Sequence, residues 1–200
     1  MALKSRNTSN EETSNGLTFK TRGENDKRKI MIYGNDGTGK STYAEKYCIE
    51  NNLNPVVVDI DDTNFTGLPI VELQYEENNK KNWFRIKDTF KKICLSDDFD
   101  TVIIDGVTSL LEMLVSDANG MKAYKDRADR FNEILLLFER CNKNVIYIGQ
   151  ADMEVIYSGE YQSNKSVIKI NSIVNEKYHC YIDNGKYKVE TLKFRRAGDQ

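Results

Sequence analysis

The amino-acid sequence predicts an α/β fold, in which a mostly parallel sheet is flanked by helices on both faces. Short β-branched apolar runs alternate along the chain with longer segments of helical periodicity. The runs are continuous rather than alternating, as in strands that are buried on both faces. Near the end, Asp183-Asn184-Gly185 joins two alternating runs and predicts a C-terminal β-hairpin.

Length and composition fit one domain with a tail. The chain has 200 residues, 39% hydrophobic and 30% charged, with a net charge of -2, which is ordinary for a globular protein with one substantial core. Residues 1–28 are rich in Asn, Ser, Thr and charge, and predict a flexible polar tail before a folded domain over 29–200. No apolar run suits a membrane span and no secretory signal is visible, so we expect no membrane contact and a cytoplasmic location.

Cysteine and histidine usage narrows the chemistry. The four cysteines, Cys48, Cys94, Cys141 and Cys180, are far apart and form no CxxC pair. This argues against a zinc ribbon or a disulfide framework and favours reduced thiols packed as small apolar groups. A single histidine, His179, gives little support to a histidine metal site or a Ser-His-Asp triad.

The elements follow one another in a regular order. The predicted strands are "KIMIY", "PVVVDI", "DTVIID" and "NVIYIGQ", and "YHCYIDNGKYKVETLKF" forms the hairpin. The predicted helices are "STYAEKYCIENN", the amphipathic "NWFRIKDTFKKICL", "VTSLLEMLV" and a long segment over 122–141. Ligands of such sheets bind beyond the carboxyl ends of the strands, so the residues after each strand are the candidates for a site.

The first strand runs into a glycine-rich loop that matches G-x-x-x-x-G-K-[ST] at every position: Gly34, Asn35, Asp36, Gly37, Thr38, Gly39, Lys40 and Ser41. Glycines let backbone N–H groups converge on phosphate oxygens, and the following helix directs its positive end at the same anion. Lys40 is expected to reach the β- and γ-phosphates, Ser41 to bind Mg²⁺, and Thr42 to support the loop. The loop therefore predicts binding of ATP with Mg²⁺.

Acidic residues end two of the other strands. Asp105 closes "DTVIID", where a carboxylate can hold the Mg²⁺ shell, although it could instead cap the next helix. Asp59, Asp61 and Asp62 follow "PVVV". One of these acids is a candidate general base for an attacking water, and an Asx turn or a helix cap is the alternative.

These residues together resemble the phage nucleotide-binding P-loop family, including RecA-like ATPases of the Sak type that act with single-strand annealing and recombination. "VIIDGVTSLL" is similar to a RecA-type Walker B strand and helix, and "VVVDID" places Asp61 at the family's catalytic acid. Gln150 resembles the glutamine that senses the γ-phosphate, and Lys193-x-Arg195 resembles the K-x-R that such ATPases insert into a neighbour's site.

The resemblance implies a RecA-like core with its active site between subunits of a homo-oligomer, either a ring or a filament. Lys40, Ser41 and Asp105 would come from one subunit, and Lys193 and Arg195 from the next. It also implies single-stranded DNA as a partner, contacted by "SDANGMKAYKDR" and "ADMEVIYSGEYQSNKSVIK". A recombination or replication protein is a further expected partner, in the host cytoplasm if the chain is phage-encoded.

Two other functions stay open at this point. A small-molecule or nucleotide kinase also uses a P-loop, but it usually needs an arginine-rich lid. Here Arg127, Arg130 and Arg140 lie in a helical pattern instead. A non-catalytic ATP-dependent switch is the third possibility, which an Asp61 side chain too short to act as a base would favour.

Overall fold

The structure is a computed structural model that describes residues 11–14, 17–20, 27–63, 65–76, 82–114, 121–151 and 170–195. The chain divides into two compact units, one of Met1–Asp26 with Arg195–Gln200 and one of Lys27–Phe194. In the first unit, β1 (Glu11–Ser14) pairs antiparallel with β2 (Leu17–Lys20). The predicted flexibility of residues 1–28 and the domain boundary stay predictions.

The second unit contains the predicted series of strands and helices. Its strands are β3 (Lys29–Gly34), β4 (Pro55–Asp59), β5 (Thr101–Asp105), β6 (Asn144–Gln150), β7 (Glu176–Asp183) and β8 (Lys186–Phe194). Its helices are α1 (Lys40–Glu50), α2 (Asn82–Leu95), α3 (Val107–Met113), α4 (Met121–Arg140) and the short α5 (Ile170–Ile173).

One six-stranded sheet organises this unit, in the order β4-β5-β6-β3-β7-β8. Neighbouring strands are parallel except β7 and β8, which form an antiparallel hairpin. The hairpin turns at Asn184 and Gly185, with φ of 50° and 72°, because a tight turn of this kind needs left-handed backbone at both central residues. The predicted α/β fold with its C-terminal hairpin is confirmed.

The sheet buries a different hydrophobic core on each face. One face packs Met31, Val58 and Ile104 against α2, α3 and α4, whose contributions include Phe90 and Phe138. The opposite face packs the other side chains of the same strands against α1. The continuous apolar runs of β3, β4 and β5 follow from burial on both faces. Among the described residues, no helix is long and apolar enough to cross a membrane.

The packing of α2 against α4 can be tested at Phe138. This side chain is fully buried, with its ring edge-on to Phe90 at a centroid separation of 5.2 Å. We expect Phe138→Ala to lower the free energy of unfolding by about 3–5 kcal/mol in urea titrations, because it leaves a cavity between the helices.

Leu136→Ala is the matched control, since Leu136 lies on the same helix and is 48% exposed. It should cost less than about 1 kcal/mol. Equal small losses at the two positions would contradict the packing described.

Candidate functional site

The glycine-rich loop connects β3 to α1 and is built around one carbonyl. Thr38 Oγ1 donates to the Asn35 carbonyl oxygen at 2.7 Å, and Lys40 Nζ donates to the same oxygen at 2.9 Å. Gly37 and Gly39 have positive φ, 69° and 79°, a region that glycine enters without strain. Gly39 is also the N-cap of α1. The loop thus ends at a helix N-terminus, a position that favours anions.

Gly34, the first glycine of the loop, is required for a different reason. A Cβ atom at this position would lie 2.1 Å from the carbonyl oxygen of Cys180. Gly34 pairs with Cys180 of β7 on one side and with Gln150 of β6 on the other. The close approach of β7 therefore leaves room only for glycine where the loop starts.

Asp105 connects the loop to the end of β5. Its Oδ2 accepts a hydrogen bond from Ser41 Oγ at 2.6 Å and another from Thr63 Oγ1 at 2.8 Å. Asp105 is only 3% exposed. Burial raises the pKa of Asp105, the two hydroxyl hydrogen bonds oppose that shift, and the nearby charges of Asp59 and Asp61 add to it. The predicted metal role of Asp105 stays a prediction, but its position beside Ser41 is the one that this role requires.

Asp59 and Asp61 have separate partners at the end of β4. Asp59 Oδ1 accepts from the backbone N–H of Thr63, four residues on, at 3.0 Å. Asp61 accepts a hydrogen bond from Ser109 Oγ in α3. A Cβ on Gly106 would lie 2.6 Å from the Asp61 carboxyl carbon, and Gly106 has a φ of 90°. Asp61 is thus held against the start of α3, directly after Asp105.

Gln150 reaches the loop from the neighbouring strand. It ends β6, the strand between β3 and β5. Its Nε2 donates to Asp36 Oδ1 at 2.6 Å. The strand order therefore places this amide at the glycine-rich loop, and its role as a phosphate sensor stays a prediction.

Lys193 and Arg195 are not brought to the loop by the described fold of the second unit. Lys193 pairs with Lys177, which pairs in turn with Met31, three residues before Gly34. It therefore lies about 10 Å back along the strands from the loop. Arg195 follows the last strand and belongs to the other compact unit.

The structure describes only parts of the two segments that are predicted to contact DNA. Residues 121–127 of the first belong to α4 and are helical, and residues 152–169 of the second lie outside the described part of the chain. DNA contact by either segment stays a prediction.

Three residues near the site were not predicted from the sequence. Thr63 holds Asp105, Ser109 holds Asp61, and the Tyr187 ring of β8 lies beside Gly39, 3.5 Å from where a Cβ would be. Each comes into place through contact between elements that are distant in sequence. A hydroxyl within the acidic stretch "DIDDTN" was the only signal available for Thr63.

The arrangement fits a nucleotide with its magnesium ion. In the residues that the structure describes, no group of three acidic, histidine or cysteine side chains is arranged to hold a metal alone. A single carboxylate beside a hydroxyl at a phosphate-binding loop is instead the usual protein contribution to Mg²⁺, which takes its other ligands from phosphate and water. Ser41 and Asp105 form such a pair.

Comparisons with known proteins agree with this fold. A family described as AAA domain (AAA_24) matches residues 26–179. No curated protein matches the chain. Among solved structures, the crystal structure of the RadB recombinase is similar, with a TM-score of 0.50 and 15% identity over 84% of this chain and 81% of the RadB chain. At this identity the likeness shows the fold, which is RecA-like.

The pKa of Asp105 gives a testable stability difference. Because the folded state raises this pKa, ionisation of Asp105 destabilises the nucleotide-free protein, and stability falls as pH rises above the pKa of an unfolded Asp, about 3.9. We expect Asp105→Asn to unfold at higher urea concentration than wild type at neutral pH, with a difference that shrinks as the pH is lowered.

Asp97→Asn is the control, since Asp97 is exposed and away from the site. It should leave the midpoint unchanged. A less stable Asp105→Asn variant at neutral pH, without ligand, would show that the ionised carboxylate stabilises the fold.

Proposed function

The chain belongs to the AAA domain family, and on that premise we propose that it is an Mg²⁺-dependent ATPase acting on single-stranded DNA. Its role would be in recombination, annealing or replication of phage type, with an active site shared between subunits of a homo-oligomer. The observation that carries the ATPase part is the junction of the loop with Asp105: Ser41 Oγ and Asp105 Oδ2 lie 2.6 Å apart at a helix N-terminus.

The proposal gives each residue near the loop a role that agrees with its position. The backbone from Gly34 to Thr42 would bind the triphosphate, and Lys40 would neutralise the β- and γ-phosphates. Ser41 and Asp105 would hold Mg²⁺, which neutralises phosphate charge when bound. Asp61 would accept the proton of the attacking water as the bond to ADP breaks, and Gln150 would contact the γ-phosphate.

Asp61 has the surroundings of a general base. It follows the end of β4, which pairs with β5 at Asp105, and its exposed carboxylate is held by Ser109. The Ser109 hydroxyl donates to one carboxylate oxygen and so fixes the direction of the group, while the residue stays exposed to solvent. A base needs this combination of fixed direction and access to water.

A shared active site is supported by the position of Lys193. Lys193 lies back along the strands from its own loop, and its register partner Lys177 is on the sheet face of Tyr33, with Nζ 4.8 Å from that ring. Helix α1 packs on the opposite face. Lys193 would therefore act on the triphosphate of a neighbouring subunit, together with Arg195, as charge develops on the γ-phosphate.

The role on DNA rests on the resemblance of the motifs. The similar solved structure is named a recombinase, which agrees with that resemblance. Contact with single-stranded DNA would come from residues 116–127 and 151–169, which follow α3 and β6 and carry basic and aromatic side chains.

A kinase is disfavoured by the arginines of α4. Arg127 Nη1 pairs with Glu112 Oε1 at 2.9 Å, and Arg130 Nη1 donates to the Leu114 carbonyl at 3.0 Å. These side chains join α4 to α3, so they are engaged in the fold. A kinase lid needs arginines that are free to close over the transferred phosphate.

ATP hydrolysis tests the proposal. We expect wild-type activity to rise with single-stranded DNA and faster than linearly with protein concentration, because the site forms between subunits. Lys40→Ala should lower the rate at least about 100-fold, since it removes charge stabilisation of the transferred phosphate. Lys46→Ala is the matched control, because Lys46 is exposed on the same helix and pairs only with Glu50 among its described contacts.

Mixing two inactive variants tests the shared site in the same assay. A Lys193→Ala subunit has an intact loop, and a Lys40→Ala subunit has an intact Lys193. An interface is complete when the first supplies the loop and the second supplies Lys193, which occurs at about a quarter of the interfaces in a 1:1 mixture. We expect activity to recover to that extent, and Lys186→Ala on β8 to stay active alone. Activity indifferent to DNA, concentration and mixing would overturn the proposal, and ATP binding without turnover would indicate a switch.

A further inference from the structure

Two cysteines far apart in sequence meet at the edge of the sheet opposite the glycine-rich loop. Cys94 lies in the last turn of α2, and Cys141 follows α4, three residues before β6 begins. Both thiols are free and half-buried, both pack against the core that α2 and α4 cover, and each is the first influence on the other's pKa. Cys94 and Cys141 are called the thiol pair below.

Two buried lysines surround the thiol pair. Lys29, 6% exposed at the start of β3, places its Nζ 3.9 Å from Cys141 Sγ and donates to the Lys143 carbonyl at 2.7 Å. Lys143, 5% exposed, donates to the carbonyls of Ser96 and Phe99. An ammonium group beside a thiol favours its thiolate form, which is the reactive nucleophile.

The surroundings make the two thiols unequal. The neighbouring Cys94 thiol, followed by the charges of Lys29 and Lys143, holds the pKa of Cys141 below that of an ordinary thiol, although burial opposes this. The Cys141 thiol and burial together raise the pKa of Cys94. Burial lowers the pKa of Lys29, and the charges of Cys141 and Glu139 oppose that shift. While it keeps its proton, the Cys141 thiol donates to the Phe138 carbonyl at 3.1 Å. Because Lys29 Nζ lies 3.9 Å from Cys141 Sγ, Cys141 is the thiol that ionises first and acts as the nucleophile.

The other two cysteines provide internal comparisons. Cys48 is 2% exposed and Cys180 is fully buried, each within the core that packs against α1. Burial raises the pKa of Cys48 to about 12 and that of Cys180 to about 11. Among the described residues no thiol acts on either of them, and at Cys180 burial outweighs the charge of Lys40, so both should be inert.

We propose that Cys94 and Cys141 form a redox-sensitive dithiol that closes reversibly to a disulfide by exchange with a low-molecular-weight disulfide such as oxidised glutathione. The Cys141 thiolate attacks one glutathione sulfur, forming a mixed disulfide and releasing one glutathione thiolate. The Cys94 thiol then loses its proton and attacks Cys141 Sγ, releasing the second glutathione as a thiol. The protein dithiol is oxidised by two electrons and glutathione disulfide is reduced to two thiols.

The bond would join α2 to the segment between α4 and β6. The proposal does not depend on ATP hydrolysis, since Lys29, Cys94 and Cys141 lie at the amino ends of the parallel strands and take no part in the loop. The resulting modification site responds to the thiol–disulfide balance of its surroundings.

Peptide mapping tests the proposal on the full native chain. After incubation with oxidised glutathione, remaining thiols are blocked with N-ethylmaleimide before denaturation and digestion. We expect a peptide pair joined through Cys94 and Cys141, reversed by dithiothreitol, with Cys48 and Cys180 unmodified. Cys94→Ser should stop the reaction at a Cys141–glutathione adduct, and Cys141→Ser should leave Cys94 largely unreacted.

The pH dependence of alkylation by iodoacetamide tests the asymmetry without any variant. The rate at Cys141 should level off at a pH below the ordinary thiol pKa of about 8.5, while the rates at the other three cysteines keep rising above it. Lys29→Met should move the Cys141 profile to higher pH. No linked peptide, or a Cys141 profile the same as that of Cys48, would overturn the proposal.

Discussion

The buried carboxylate of Asp105 is the interaction on which the site depends. Water is excluded from it, so two hydroxyl groups supply its hydrogen bonds: Ser41 from the glycine-rich loop and Thr63 from the segment after β4. Those two bonds bring the segments that follow β3 and β4 to one oxygen atom at the end of β5. Burial makes the negative charge costly, and the cost makes the position suited to a cation. The Asp105 carboxylate therefore joins the parts of the site and also lowers the stability of the ligand-free protein. Functional residues often reduce stability in this way.

Strand order decides what else reaches this group. Because β6 lies between β3 and β5, the glycine-rich loop and Asp105 are separated by one strand. The space above that strand is where a triphosphate would lie, and Gln150 at its end reaches Asp36. Asp61 approaches from β4 on the other side and contacts the start of α3. The hairpin of β7 and β8 closes the remaining side, where Cys180 permits only glycine at position 34. Each strand thus contributes one feature at its carboxyl end, as expected for a parallel sheet.

The sequence was most informative where chemistry is local. The glycine spacing, the acid that ends "DTVIID" and the glutamine that ends "NVIYIGQ" could be located because residues next to a strand end share one edge of the sheet. The partners of those residues could not be located in this way. Thr63 and Ser109 are ordinary hydroxyl residues whose importance arises from contacts 42 and 48 positions away. The cysteines show the same limit: wide spacing correctly indicated isolated, buried thiols for Cys48 and Cys180, but it concealed the meeting of Cys94 with Cys141.

The most direct measurement of the central claim is the Mg²⁺ dependence of ATP affinity, by isothermal titration calorimetry with wild type and Asp105→Asn. If Asp105 holds the metal, Mg²⁺ should tighten ATP binding to wild type by about tenfold or more, and the variant should bind ATP with an affinity that Mg²⁺ changes little. The affinity without Mg²⁺ should be similar in the two proteins, because the loop is intact in both. An undiminished Mg²⁺ effect in Asp105→Asn would contradict the account, since the carboxylate would then be a structural group rather than the metal-side ligand.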